Sequence, residues 1–323
     1  MAKTEERKSV HKTVLLQEAI DGLNLKINSV VLDGTFGGGG HSMEILKRFP
    51  RAKIIALDQD KTVWKEKDDR ISFHNINFRD LDKVQPTPNP FQRKGKVLPF
   101  GKDLGWADGI ILDLGLSSDQ LENSGRGFSF MKDEPLLMTM KENPQPEDLT
   151  AMDVVNDWGE KNLADIIYGY GEEKFSRHIA KAIVDARQKK KIVTTFDLVE
   201  IIGGAVPSGY RKGRLHFATK TFQAIRIAVN DELNALKEGL DKGFDVLKKG
   251  GRMSVISFHS LEDRIVKNFY REKAKEEKAI LIPARNASHS DAGGNKKFTT
   301  ATKEEISNNP RSRSAKLRVL EKI

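Results

Sequence analysis

The 323-residue chain has no cysteine. That absence excludes a disulfide framework, a cysteine-held iron–sulfur cluster and a thiolate zinc site. It also removes any thiolate nucleophile. No apolar run is long enough to cross a membrane and no secretory leader is read, so the expected localisation is cytoplasmic, with no membrane partner. No internal repeat is present. Acidic residues are in deficit: 46 Asp plus Glu against 55 Lys plus Arg leave a net charge of +9. That balance suits a polyanionic partner such as RNA. His11, His41 and His259 have no Asp, Glu or His at metal-ligand spacing, so no catalytic metal is expected. Ser9 and Ser260 lack the partners of a hydrolase triad.

What is present is concentrated in Val30-Val31-Leu32-Asp33-Gly34-Thr35-Phe36-Gly37-Gly38-Gly39-Gly40-His41-Ser42. An apolar run ends on Asp33, breaks into glycines and opens a helix read as Met43 to Phe49. This is a strand–loop–helix at the edge of a doubly wound sheet, where nucleotide-like cofactors sit. Gly37 and Gly39 fill the first two positions of the dinucleotide pattern, but the third falls on Ser42. Asp33 at the strand end repels a pyrophosphate and suits a cation. The loop therefore favours S-adenosylmethionine, with its sulfonium, its α-ammonium and no phosphate, over a nicotinamide. A second strand over 53–57 leads to Asp58, placed to accept hydrogen bonds from ribose hydroxyls. The plainer reading, a flexible turn at Gly37 to Gly40, leaves the two strand-terminal carboxylates unexplained. With this donor and no cysteine, carbon-5 methylation of a pyrimidine through a cysteine adduct is disfavoured. Direct attack by a substrate nitrogen or oxygen remains.

Strands and helices alternate along the first third. Met1 to Ser9 is charged and reads as frayed, His11 to Leu23 as an amphipathic entry segment, Gln85 to Gly105 as a Pro- and Gly-rich loop, and Gly109 to Asp113 as a buried parallel strand. After Ser118 the alternation stops. From Leu136 to about Leu215 the pattern is helical, with segments at 151–157, 161–168, 172–189 and 196–203, and further helices follow over 217–248. Strands return at Gly251 to Phe258 and Lys316 to Leu320, with a polar loop over 288–309. The expected fold is α/β, a Rossmann-type methyltransferase sheet formed by residues 1–121 and 216–323, with an inserted all-helical domain over 122–215.

The strand over 109–113 brings Asp113 to the sheet edge that Asp33 and Asp58 already share. A carboxylate there can accept the N–H of an exocyclic amine and later its proton, sharpening a delocalised lone pair. Ser117 is expected to assist. The alternative is that Asp113 only caps a turn or only binds cofactor. Arg126, Phe128 and Phe130 suit base stacking and a phosphate, or else start the helical core. His259, at the end of another strand, is read first as a structural hydrogen-bond partner and second as a substrate contact. Of three basic clusters, Arg211 to Arg214 and Arg311 to Arg313 flank the expected site in sequence and suit RNA phosphates, with Arg214 a candidate substrate contact. The third, Lys189 to Lys191, reads as solvated surface.

The chain resembles the bacterial small-subunit ribosomal RNA cytosine-N(4) methyltransferases, the MraW family. The resemblance rests on His11–Gly22, Asp33–Ser42, Ala56–Asp60, Asp108–Gln120, Arg126–Met131, Tyr170–Ile183, Thr219–Ile227, Asn230–Leu233, Gly250–Lys267 and Asn309–Val319. It implies S-adenosyl-L-methionine as donor and a cytosine in the decoding region of 16S rRNA as acceptor. It also implies cofactor contacts at Gly39, Gly40, His41, Asp58, Phe78, Asp113 and Gln120, beside Asp33. Four positions depart from the family pattern. Leu137 and Thr139 replace an acid and an arginine, Gly38 a basic residue, and Lys220 an arginine. The partner expected is 16S rRNA or the small ribosomal subunit, and the reading leaves room for a homodimer. Rival readings are methylation of another nucleic-acid amine, a nicotinamide dehydrogenase, and an RNA-binding assembly factor that has lost turnover.

Overall fold

Strands with continuous apolar runs are buried on both faces, and their period-two alternation decides which core each side chain enters. The computed structural model describes residues 12–63, 68–84, 92–93, 96–97, 105–283 and 298–323. Its strands are β1 (Val30–Asp33), β2 (Lys53–Leu57), β3 (Ile71–His74), β4 (Gln92–Arg93), β5 (Lys96–Val97), β6 (Ala107–Asp113), β7 (Leu247–Ser257), β8 (Ala279–Ile282), β9 (Thr299–Thr300) and β10 (Lys316–Lys322). Its helices are α1 (Leu16–Leu23), α2 (Gly40–Arg48), α3 (Ser118–Glu122), α4 (Ala151–Asp157), α5 (Glu160–Gly169), α6 (Ser176–Arg187), α7 (Thr195–Ala205), α8 (Ser208–Arg211), α9 (Thr219–Asn230), α10 (Glu232–Val246), α11 (Ser260–Lys275) and α12 (Lys303–Asn308).

Of the described residues, 12–115 and 233–323 form one compact unit and 116–232 a second. The first is built on a sheet in the order β3-β2-β1-β6-β7-β10-β8, with β9 on β10. Pairing is parallel from β3 to β7 and antiparallel at β10. The chain runs outward from β1 to β3, then resumes at β6 on the other side of β1. The strand order therefore reverses between β1 and β6, and a crevice opens at their carboxyl ends. Leu32, Ile55, Ile110, Leu112 and Val255 face α10 and α11 through Leu236, Leu240, Val266 and Tyr270. Their neighbours Val31, Ile54 and Ala56 face the opposite way, onto Ile20 of α1 and Ile45 and Leu46 of α2. Each such aliphatic side chain stabilises the sheet by about 1.5–3 kcal/mol.

The second unit is helical. Val154, Leu163, Ile167, Ile179, Ile183, Leu198, Ile202, Phe222 and Ile225 form its core. Reciprocal caps between Thr150 and Asp153, and between Thr194 and Asp197, fix the starts of α4 and α7.

Several expectations are corrected here. Helix begins at Ala151 rather than Leu136, since 123–149 is irregular. The Asn230 side chain holds that stretch, accepting from Met140 N and donating to Met138 O. The helical unit runs over 116–232 and includes α9, which packs on α4 and α5. The helix after the glycine loop starts at Gly40, so His41 and Ser42 lie in its first turn. The polar loop over 288–309 contains β9 and α12, and its residues 288–297 lie outside the described residues, as do Met1 to Ser9. Of the loop expected over Gln85 to Gly105, the paired β4 and β5 and residue 105 are described. No described helix is long and apolar enough to cross a membrane.

Gly127 tests the irregular segment. Its φ is +73°, and a Cβ there would stand 2.4 Å from the Pro135 carbonyl oxygen. Left-handed backbone alone costs a side chain roughly 1–3 kcal/mol, and the carbonyl is backbone that cannot rotate away. Gly127→Ala is expected to destabilise the helical unit by at least about 2 kcal/mol, read as faster amide exchange in α4 to α7. Exchange equal to wild type would contradict this account.

Candidate active site

Three strands end on carboxylates at the crevice, and the glycine loop is tied to each of them. Asp33 closes β1 and is buried. Its Oδ2 accepts from Ser42 Oγ at 2.6 Å and its Oδ1 from Thr35 N at 3.2 Å. Thr35 reaches the next strand, its Oγ1 accepting from Asp113 N at 2.6 Å. Asp58 follows β2, with Oδ2 accepting from Gly37 N at 2.8 Å and Oδ1 from Asp60 N at 2.9 Å. Main-chain bonds from Gly34 N to Ile111 O and from Phe36 N to Leu57 O complete the stitching. Gly39 turns the chain into α2 at φ +72°, where a Cβ would stand 2.7 Å from the Phe36 ring. Gly40 then opens α2. No side chain caps that helix, so its first amides are left to a ligand or water.

Asp113 closes β6. Its Oδ2 lies 3.8 Å from Nδ1 of the buried His41, while its Oδ1 is buried with no hydrogen-bond partner among the described residues. An orphaned acceptor in a crevice is costly unless a donor arrives. Burial holds all three carboxyls above their ordinary range. Asp33 rises from 3.8 to about 6, with hydrogen bonds from Ser42 and Thr35 opposing the rise. Asp58 rises through burial against the bonds it accepts. Asp113 rises well above its usual value through burial, then through the charges of Asp33 and Glu262. A cation brought to this edge relieves all three, and hydroxyl or amine donors satisfy the open lone pairs. These residues fit a ligand bearing a positive charge and a ribose.

The remaining sequence candidates fall in different places. Phe78 opens a 3-10 turn over Phe78–Lys83 and packs beside Gly34, with its ring against Gly239 of α10. His259 caps α11: its Nδ1 accepts from Glu262 N at 3.5 Å, and Glu262 Oε2 accepts in return from His259 N at 3.3 Å. That is the structural role read first for it.

In the helical unit, Ser117 and Gln120 satisfy one another. Ser117 N donates to Gln120 Oε1 at 3.0 Å, and Gln120 N donates to Ser117 Oγ at 3.1 Å. Ser117 thus caps the start of α3. Arg126 is buried, donates to Met140 O at 3.0 Å and lies over the Phe128 ring. Phe128 is core. Phe130 is half-buried and stacks on His216. Arg214 is exposed.

At the departures, Thr139 is buried and Leu137 half-buried, so the joint change leaves no unpaired buried charge. Lys220 Nζ donates to Glu172 O at 2.8 Å. Sequence reasoning missed Thr35, Ser42 and Glu262 as members of the site. The available signal was a hydroxyl residue two and nine positions after a strand-terminal aspartate.

Fold and crevice define a class: a doubly wound α/β protein whose acidic switch-point loop receives a cationic nucleoside. Comparison with known proteins narrows it. The family model described as the MraW methylase family matches residues 8–323. Three curated relatives carry the name ribosomal RNA small subunit methyltransferase H. The one from Persephonella marina is 42% identical over 320 residues, covering 97% of this chain and 99% of that protein. The one from Lactobacillus gasseri is 42% identical over 322 residues, covering 97% and 99%. The one from Carboxydothermus hydrogenoformans is 44% identical over 321 residues, covering 97% and 98%. The chain belongs to the MraW methylase family. The methyl donor expected from the loop, S-adenosyl-L-methionine, is the cofactor of a methylase with this site.

The raised Asp33 carboxyl makes stability depend on pH with a defined sign. Between its ordinary 3.8 and about 6 the folded protein holds this proton more tightly than the unfolded chain. Asp33 therefore lowers stability as pH rises through that window. Asp33→Asn removes the effect, so its melting temperature is expected to gain on wild type from pH 4.5 to 7.5, equivalent to about 2 kcal/mol. Parallel pH profiles for the two proteins would contradict the assignment.

Proposed function

We propose that this protein moves a methyl group from S-adenosyl-L-methionine to the exocyclic N(4) amine of a cytosine in the decoding region of 16S rRNA, in the cytoplasm. The observation that carries the reading is Oδ1 of Asp113 at the carboxyl end of β6, buried and without a hydrogen-bond partner among the described residues. The relatives named as small-subunit rRNA methyltransferases and the net charge of +9 support an RNA substrate.

Gly39, Gly40, His41 and Asp58 are the residues that hold the cofactor, Asp58 at its ribose. When bound, the cofactor supplies an electrophilic methyl on a sulfonium. The chain's own residues do the rest. Asp33 and Thr35 keep the loop and β6 in register, so the crevice is set before substrate arrives. Positive charge beside Asp113 restores its ionised form. Its Oδ1 then accepts the amine N–H, raises electron density on nitrogen and takes the proton as the new bond forms. A cytosine inside a helix cannot reach the crevice, so the target is unpaired or flipped.

The test is incubation with methyl-labelled cofactor and small subunits lacking the modification, followed by nucleoside analysis. Labelled N(4)-methylcytosine is expected. Asp113→Asn is expected to lower turnover by about 100-fold or more with cofactor affinity kept within about tenfold. Label on another nucleoside, or full turnover in the variant, would overturn the reading.

A further inference from the structure

The helical unit carries an exposed group of side chains that the methyl-transfer reading does not use. Phe130 and His216 stack with centroids 4.5 Å apart and planes 9° apart. His216 and Phe217 stack at 4.3 Å and 30°. Two phenyl rings cannot share one face of an imidazole, so His216 is held between them. Phe222 braces Phe130 edge-on at 5.4 Å. The tautomer is fixed as well. His216 Nδ1 accepts from Ala218 N at 3.3 Å, so the neutral ring carries its proton on Nε2. Burial holds the pKa of this imidazole below its usual value, which keeps it neutral at physiological pH.

His216 is nevertheless an exposed residue, and so are Arg211, Lys212 and Arg214 immediately before it. Among the described residues none of these three cations is paired with a carboxylate. Leu215, 53% exposed, and Met131, 75% exposed, flank the ring column in sequence. A solvated surface has no reason to clamp an imidazole in one tautomer between two phenyls, nor to leave Leu215 bare directly after Arg214 in the chain. Cations, an oriented donor and apolar surface together match single-stranded RNA, with its phosphates, carbonyl oxygens and base faces.

We infer that residues 130–131 and 211–217 of the helical unit form an RNA-docking platform. Arg211, Lys212 and Arg214 track phosphates, His216 Nε2–H donates to an RNA oxygen, and Leu215 lies against a base. The platform positions RNA and takes no part in the chemistry. It rests on the RNA-methylation reading above and specifies how that substrate is gripped.

The test uses the full-length protein, with unmethylated small subunits and protein-free 16S rRNA as ligands. The variants are Arg211→Ala/Lys212→Ala/Arg214→Ala, His216→Ala, His216→Gln and Leu215→Ser. The triple variant is expected to bind both ligands about tenfold more weakly. The slope of log affinity on log salt should fall by about 2, since each lost phosphate contact on a single strand removes about 0.7. Turnover at saturating substrate and cofactor affinity stay at wild-type values, so KM rises while kcat holds. His216→Ala weakens binding, and His216→Gln, which keeps an N–H donor, recovers part of it. Unchanged binding and salt slope in the triple variant would overturn the platform while leaving the methylation reading intact. Loss of binding to subunits with none to bare rRNA would also overturn it, and would make the surface a protein contact. Failure of the wild-type protein to bind either ligand would overturn both readings. Equal melting temperatures for variants and wild type exclude misfolding as the cause.

Discussion

The burial of Asp33 at the switch point is the constraint on which the rest of the crevice depends. Taking a carboxylate out of water is expensive unless its oxygens are bonded. Here one oxygen takes the Ser42 hydroxyl and the other the Thr35 amide. Those two bonds fix the loop at both ends of its glycine run. Thr35 is then forced toward β6, where its hydroxyl receives Asp113 N, and Gly37 toward Asp58. A loop of glycines with no side chains to pack would be mobile by itself. It is held because loop amides donate to Asp33 and Asp58 and the Thr35 hydroxyl oxygen accepts from Asp113 N.

The same economy explains why the site is acidic in a basic protein. The chain carries a net charge of +9, yet the crevice gathers Asp33, Asp58 and Asp113, each held above its ordinary pKa by burial. Opposite signs serve opposite partners. Acidic groups gathered in a crevice favour a cationic nucleoside, whereas surface cations favour a polyanion through counterion release.

Much of this was legible before folding. Apolar runs that stop on Asp33 and Asp113, with Asp58 just past a third, announce strand ends, because a charge cannot continue a strand buried on both faces. The helices over 151–205 were legible to within a few residues by their periodicity. Other local partners were not legible. Residues 123–149 carry apolar residues that serve an irregular segment, held by Asn230 from a helix some ninety residues away. Ser117 read as chemistry because a serine after a strand end suits it; Gln120 three residues on was the local sign of a cap. His259 and Glu262 repeat that spacing. The Arg126 guanidinium donates to Met140 O, a partner no spacing rule supplies.

By itself the sequence determined the alternation of strand and helix, the absence of thiol chemistry, the loop and the three carboxylates at strand ends. These follow from local composition and periodicity, which act over a few residues. Only the tertiary structure decided that β6 lies beside β1, that Thr35 joins them, that Asp113 keeps one oxygen without a donor among the described residues, and that Phe130 meets His216. Each of those depends on which distant segments pack together, and hydrophobic burial, being non-directional, leaves that choice to the assembled core.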